Sequence, residues 1–483
     1  MNLIKGNPSN RNPNRRQDMK TTLENASTTR TSAHSIKLNQ EATMNRSTVN
    51  RSSFSTFRNL GLGVIAATSM MACGTAPAGV PTPASNPNPG PSTFTVSGKV
   101  VSLTGQPVPS ATVQVIGKPS TTTDSNGNFS IPGVSAPYDV AAVASFGPNS
   151  VVTLFKGVTR SDPRVIAFAA GGGSKSATIN GSLSGSLVLP TPLFRQTRVA
   201  FVAPEGSDTS NVFNNPYALN PSWFGPNSIT GTVHALQWST DVAGLPTIYR
   251  GYGKLENVPV SDGSIANNKD VALNAVAGSI LSGNVTVPAG MSLSNKRLSA
   301  DFAANASISL VYDSAPGAAF SYNAPNIAGV GLTVSARASG AGGLEAEVFK
   351  RNLAANANNL NLEIPTPPSL SLPVNAATGI DLTNQAFSWA PFSGGLHITQ
   401  LVTPGKLFFV FTAASSLTLP STASLGLGTL PAGTAFSWRV MGTSAMTSTD
   451  AITNPSSGPV MNALAPASDY ASGNSQTQTF TTN

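Results

Sequence analysis

Val96-Ser-Gly-Lys-Val-Val-Ser-Leu-Thr-Gly105-Gln-Pro-Val-Pro-Ser-Ala-Thr-Val-Gln-Val115, followed by Thr121-Thr-Thr-Asp-Ser-Asn-Gly-Asn-Phe-Ser-Ile131, decides the fold. Val96, Gly98 and Val100 alternate with polar residues, as do Val113/Val115 and Phe129/Ile131, and Gly, Pro, Asn and Asp punctuate the runs. A period of two between turn clusters predicts short antiparallel strands with one buried face. Asp124-Ser-Asn-Gly-Asn128 reads as the turn of a hairpin, because Asn and Gly accept positive φ and Asp bonds its own backbone. The turn explains these residues; an EF-hand would need its glycine later and a closing glutamate.

The same residues, in the order G-x-V, G-x-P-x-x-x-A-x-V and T-T-D-x-x-G-x-F-x-I, resemble the carboxypeptidase regulatory-like domain. That resemblance implies a seven-stranded prealbumin-like sandwich over residues 93–170. It also implies an accessory module with no peptidase activity of its own.

Downstream, Ile179-Asn-Gly-Ser-Leu183 and Leu281-Ser-Gly-Asn-Val285 echo Val96-Ser-Gly-Lys-Val100. Each echo opens a stretch that closes in an apolar strand: Val165-Ile-Ala-Phe168, Val271-Ala-Leu-Asn-Ala-Val276 and Leu360-Asn-Leu-Glu-Ile364. Three sandwiches are expected, over 93–170, 174–276 and 277–364. Ile229-Thr-Gly-Thr-Val233 matches the short echo too, so the second and third boundaries rest on less. Beyond Pro365-Thr-Pro-Pro368, Ala386-Phe-Ser-Trp-Ala-Pro391 and Leu430-Pro-Ala-Gly-Thr-Ala-Phe-Ser-Trp-Arg-Val440 resemble strands of fibronectin type III-like domains. This predicts a fourth sandwich over 366–483 with Phe387, Trp389, Phe436, Trp438 and Val440 inside it. The fold class expected is all-β, tandem sandwiches. Gly171–Ser174 and Pro365–Pro368 read as joints, so unfolding is expected in steps, with proteolysis at the joints and at 74–92.

Upstream lies a different kind of segment. Asn59-Leu-Gly-Leu-Gly-Val-Ile-Ala-Ala-Thr-Ser-Met-Met-Ala-Cys73 is an uncharged run behind Arg46, Arg51 and Arg58. Leu60–Ala72 is too short to span a bilayer, and the layout is that of a secretory signal peptide. Met70-Met-Ala-Cys73 resembles the lipobox of bacterial lipoproteins, with Met where Leu is more usual. That implies lipidation of Cys73, palmitate included, a signal peptide over 44–72 and a membrane partner through the anchor. Residues 1–43 read as a polar, disordered leader, and Met44 would make the more ordinary start. Residues 73–92 read as a Pro-rich tether. Gly74, in place of the aspartate that signals inner-membrane retention, favours an outer-membrane or surface location.

Composition excludes other classes. Residues 1–72 hold 10 of the 28 Lys/Arg and 3 of the 20 Asp/Glu. The remaining 18 and 17 nearly cancel, so the mature chain lacks the basic footprint of a nucleic-acid binder. One cysteine excludes an internal disulfide. Only His234 and His397 follow Cys73, neither in a catalytic context. No G-x-S-x-G, H-x-x-x-H or C-x-x-C occurs, and no cofactor motif. Glu345 and Glu347 share a strand face and read as solvated. No catalytic residue is assigned.

The most distinctive stretch outside the strand pattern is Asn211-Val-Phe-Asn-Asn-Pro-Tyr-Ala-Leu-Asn-Pro-Ser-Trp-Phe-Gly-Pro-Asn227. It reads as a long aromatic loop. Tyr217, Trp223 and Phe224, with Tyr249 and Tyr252, form the candidate ligand-binding set, suited to stacking on sugar rings. The competing reading folds Trp223 and Phe224 back over the second core. The expected function is a non-catalytic envelope protein that binds or braces; the alternative is a polysaccharide-binding accessory protein, and a hydrolase comes third. Polysaccharide or envelope proteins are the expected partners.

Overall fold

The computed structural model describes residues 93–483 except 147–148, 169–172, 186–193, 213–214, 304–305 and 457–467. The expected leader, signal peptide and tether, and Cys73, lie outside the described residues. Within them the regular elements are nearly all strands.

Residues 93–170 form the expected seven strands. Phe94–Val101 pairs antiparallel with Asn128–Val134 and parallel with Arg164–Ile166. Opposite them, Thr121–Thr122, Thr112–Val115, Tyr138–Phe146 and Asn149–Val158 line up in that order. Asp124 closes its hairpin by accepting the N–H groups of Asn126 and Asn128, both at 2.8 Å.

The echoes mark one structural position used three times. Gly98 faces Phe129, Gly181 faces Tyr217 and Gly283 faces Phe320, each across an antiparallel pair. On its other side each glycine's strand pairs parallel with a strand from late in its unit, Arg164–Ile166, Ile265–Ala266 or Leu360–Glu363. A β-carbon at any of the three would collide with the facing aromatic and with a backbone carbonyl, that of Pro163, Lys269 or Leu360. Glycine is required because ring and main chain occupy the space of a side chain. The flanking apolar residues (Val96 and Val100, Ile179 and Leu183, Leu281 and Val285) are all buried. Residues 93–170 and 277–364 thus share one strand order, and 174–276 repeats its central pairings with extra strands and with its late parallel strand split in two. The fourth match, at Gly231, sits in the long strand Ser228–Thr240 and packs on Phe201 instead.

The last unit buries Phe387, Trp389, Phe436, Trp438 and Val440 in one core, as its Phe-Ser-Trp triplets predict. Its independence does not hold. A single 14-stranded sheet runs through three of the four units. From the third come Ala306–Asp313, Met291–Ala303, Gly331–Gly340 and Glu345–Leu353. Glu345–Leu353 then pairs antiparallel with Tyr470–Asn474 of the last. After Ala435–Thr443, Leu396–Thr403 and Lys406–Thr412, the sheet passes to Asn149–Val158 of the first, in parallel.

Alternation lets neighbouring sandwiches share these strands. Val152 and Leu154 belong to the core of the last sandwich. Phe155 points to the opposite face and stacks on Phe411, ring centroids 4.7 Å apart, while Phe168 stacks on Phe409 at 3.9 Å. Asp450 accepts the Thr159 N–H at 2.9 Å, and Arg164 N–H donates to the Thr453 carbonyl at 2.7 Å. The second and third sandwiches are fused differently. Ala200, Val202, Leu236, Trp238 and Tyr249 of the second enter the core of the third. Tyr249 also donates to the Asn323 carbonyl at 2.9 Å.

The joint at 365–368 is packed rather than open, with Pro367 and Pro368 buried. Phe411→Ala should cost about 3–5 kcal/mol and shift the melting of residues 93–170 and 366–483 together. Calorimetry showing an unshifted, separate transition for the first sandwich would contradict the shared core.

Candidate functional site

The five aromatics expected to form one ligand surface are not brought together. Tyr217, Trp223 and Tyr249 are 3%, 1% and 5% exposed. Tyr217 is the ring over Gly181, its hydroxyl bonded to the Lys269 carbonyl. Trp223 fills the second core and donates its indole N–H to Pro226 O at 2.8 Å. The stretch 211–227 is not a long loop. It carries the end of Gly206–Asn211 and all of Tyr217–Leu219 and Ser222–Trp223. These strands are too short to display a period. Of the five, only Phe224 and Tyr252 keep partial exposure.

Tyr252 belongs to a second, small cluster. His234 Nδ1 and the Tyr252 hydroxyl lie 2.9 Å apart, and Phe302 of the third sandwich covers the imidazole at 4.3 Å between centroids. Burial foremost, then the nearby Lys254 cation, pull the His234 pKa down to about 4, against a smaller opposing effect of Glu256. His397 is also buried, accepting the Phe392 N–H at Nε2, and its pKa is lowered chiefly by desolvation. Both imidazoles are held by internal partners.

The richest assembly of functional groups lies on the third sandwich, on the sheet face opposite its core. Register places Tyr312, Arg297, Ser335, Phe349 and Tyr470 in one row across five strands. Asn295, Arg337, Glu347 and Ser472 make the adjacent row, and Ser339, Glu345 and Asn474 the next. Arg297 lies over the Tyr312 ring at 5.1 Å, and its Nε donates to Asn295 Oδ1 at 3.1 Å. Arg351 lies over Tyr470 at 6.0 Å, and Tyr470 stacks on Phe349 at 4.3 Å. Two guanidinium–ring pairs thus flank the strip.

Between them, Arg337 is ion-paired with Glu345, and Ser335 donates to Glu347 Oε1 at 3.2 Å. Burial pushes the Glu347 carboxyl up, opposed by Arg297 and Arg337 and by the Ser335 bond. Arg439, bonded through Nε to Gln400 at 2.7 Å, extends the charge onto the last sandwich. The expectation of two solvated glutamates is corrected for Glu347, which is enclosed by these neighbours. Sequence reasoning missed Arg297, Tyr312, Arg337 and Tyr470. The available signal was Asn295-Lys-Arg297 and Arg337 at polar positions of strands whose alternate residues are apolar.

Beside the strip, Lys296 is 1% exposed. It is neutralised by Asp313 at 3.1 Å and by the carbonyls of Ala315 and Gly317 at 3.1 and 2.6 Å. Among the described residues no group of three or more His, Cys, Asp or Glu is placed to hold a metal.

Comparison with known proteins bears on the first sandwich. Residues 95–165 match the carboxypeptidase regulatory-like domain family. The sequence resemblance and the seven-stranded topology agree with that match. No curated protein matches the chain. Among solved structures, a leucine-rich repeat protein from Bacteroides thetaiotaomicron aligns at 11% identity, over 39% of this chain and 26% of that one, with a TM-score of 0.13. The chain thus spans about a quarter of that protein's length. The N-terminal four Ig domains of Dscam1 isoform 4.44 align at 8% identity, over 81% of this chain and 100% of that one, with a TM-score of 0.13. Isoform 8.4 gives 10% and 0.14. TM-scores this low carry no argument about function.

The His234 cluster makes a pH prediction. Its folded pKa lies below the ordinary value of 6.5, so the unfolded chain takes the proton first. Its contribution to stability is full above about pH 6.5 and falls as the pH drops towards about 4, by roughly 3 kcal/mol in all at 1.36 kcal/mol per unit. Urea midpoints measured across that window should fall less steeply for His234→Gln than for the parent.

Proposed function

We propose that the chain is a bacterial envelope lipoprotein, anchored through Cys73, whose sandwiches act as a non-catalytic binding and bracing body. The sheet shared by the first, third and last sandwiches carries this reading. Fused cores and continuous ladders favour a body that holds a surface in fixed geometry. A hinged or closing cleft, the usual housing for catalysis, would need looser joints. The carboxypeptidase regulatory-like match supports a non-catalytic role, because that module accompanies activities without supplying them. The two histidines support it too, each tied into packing.

The tripartite start of the sequence supports the anchor: arginines, a short apolar run, then Met70-Met-Ala-Cys73. Among the described residues no helix is long and apolar enough to cross a membrane. A lipid on Cys73, set before the Pro-rich stretch 74–92, would hold the sandwiches off the bilayer surface.

Expression in a lipoprotein-processing bacterium tests the anchor. The parent should incorporate an alkyne-tagged fatty acid, partition into detergent and begin at Cys73. Cys73→Ser should lose the label and either accumulate as precursor or appear in the soluble fraction. A mature N-terminus at another position, without lipid, refutes the anchor.

A further inference from the structure

We propose that Lys296 and Asp313 condense into a covalent amide, an isopeptide staple that fastens the end strand of the long sheet to its neighbour. The two residues face each other across the antiparallel pair of Met291–Ala303 and Ala306–Asp313, where the second strand ends. Ala306–Asp313 is the end strand of the 14-stranded sheet on the side of the third sandwich.

Three further groups converge on the Asp313 carboxyl. The Lys296 side chain is 1% exposed and that of Asp313 15%, with Nζ 3.1 Å from Oδ2. Ala315 N–H donates to the other carboxyl oxygen, Oδ1, at 2.8 Å. The Tyr322 hydroxyl comes from Ala319–Pro325, a strand of a different sheet, and donates to Oδ2 at 2.7 Å. The Tyr322 ring is buried. One carboxyl thus meets a nucleophile, a main-chain donor and a hydroxyl acid in a largely enclosed place.

The amine is also aimed. An ammonium has three hydrogens to donate. The carbonyls of Gly317 and Ala315 accept at 2.6 and 3.1 Å, and the remaining direction is that of Asp313. Once that proton passes to Oδ2, the two carbonyls still hold the amine, and its lone pair is left facing the carboxylic acid.

The step balances with no further reagent. Lys296 Nζ bonds to Asp313 Cγ, and the charge of the tetrahedral adduct falls on Oδ1, where the Ala315 N–H answers it as an oxyanion-hole donor does. Tyr322 gives its proton to the Oδ2 hydroxyl, the Cγ–Oδ2 bond breaks and water leaves. The proton shed by Nζ then restores the phenol. The product is a secondary amide.

The resting state is the ion pair. Desolvation pushes the Asp313 carboxyl up, but the bonds from Tyr322, Ala315 and Lys296 outweigh it and hold the group below its ordinary range. The neutral pair is therefore the minor form, and the staple forms once per chain as a slow maturation. Fixed proximity drives it, since oriented groups in one molecule reach effective molarities of about 10⁵–10⁸ M. The gain is mechanical. An end strand is the part of a sheet most exposed to wrong pairing, and a bond at its last residue holds it even when the ladder opens. This goes beyond the envelope role and does not depend on it.

Mass spectrometry of the full chain, purified from a cytoplasmic expression host and kept folded for days, tests the staple. The parent should be lighter than its sequence by one water. Trypsin should leave Lys296 uncut, in a branched peptide joined to Asp313. Lys296→Met and Asp313→Ala should keep their full mass. Tyr322→Phe, which leaves the ring and the ion pair in place, should mature about a hundredfold more slowly.

A folded parent that retains its full mass overturns the proposal. So does a water lost as a cyclic imide at Asp313 while trypsin still cuts after Lys296. A Tyr322→Phe chain that matures at the parental rate overturns the role given to the phenol.

Discussion

The parallel ladder between Ser150–Phe155 and Lys406–Phe411 is the constraint on which the rest of the molecule depends. Main-chain hydrogen bonds join two sandwiches that lie some 250 residues apart in the chain, and the alternation of each strand gives one face to each neighbour. Leu154 serves the last core while Phe155 stacks on Phe411 across the sheet. Every residue of the pair must therefore satisfy a partner strand and one of two different cores. Without the ladder, the first sandwich would end in an apolar open edge, the kind of edge that proteins ordinarily blunt or cover.

The strip on the third sandwich follows from strand alternation, which sets polar residues on the face opposite the apolar core. That face can carry arginines, glutamates and rings where a covered face would need leucine. Ion pairs of this kind add little net stability, because desolvation offsets their attraction. Glu347 illustrates the cost: enclosure drives its carboxyl towards the neutral form, and Arg297 and Arg337 pull it back.

Much of this fold was legible in the sequence, because its signals are local. The turn at Asp124–Asn128, the glycine echoes at 98, 181 and 283, and the Phe-Ser-Trp triplets each report on a few neighbouring residues. The echo said where a glycine was needed; only the structure shows that an aromatic across the strand is the reason. Tyr217 was misread because Asn and Pro break the pattern around it, and three-residue strands cannot show a period. The sheet's continuity was hidden because it joins residues far apart. Its one trace is compositional: Val151-Val-Thr-Leu-Phe155 and Leu407-Phe-Phe-Val-Phe411 are unbroken runs where half-buried strands alternate. Such runs mark strands covered on both faces. The candidate strip was equally hard to see, since its arginines meet only through register.

The ladder also imposes a timetable. A ribosome makes Asn149–Val158 long before it makes Lys406–Thr412, so the first sandwich is born missing the neighbour that completes its sheet. Contacts of such long separation form late and slowly. Until the last sandwich emerges, the apolar edge must be shielded by something other than its native partner, because exposed edges of this kind invite pairing between chains. A truncation before residue 406 leaves that edge without its native partner for good.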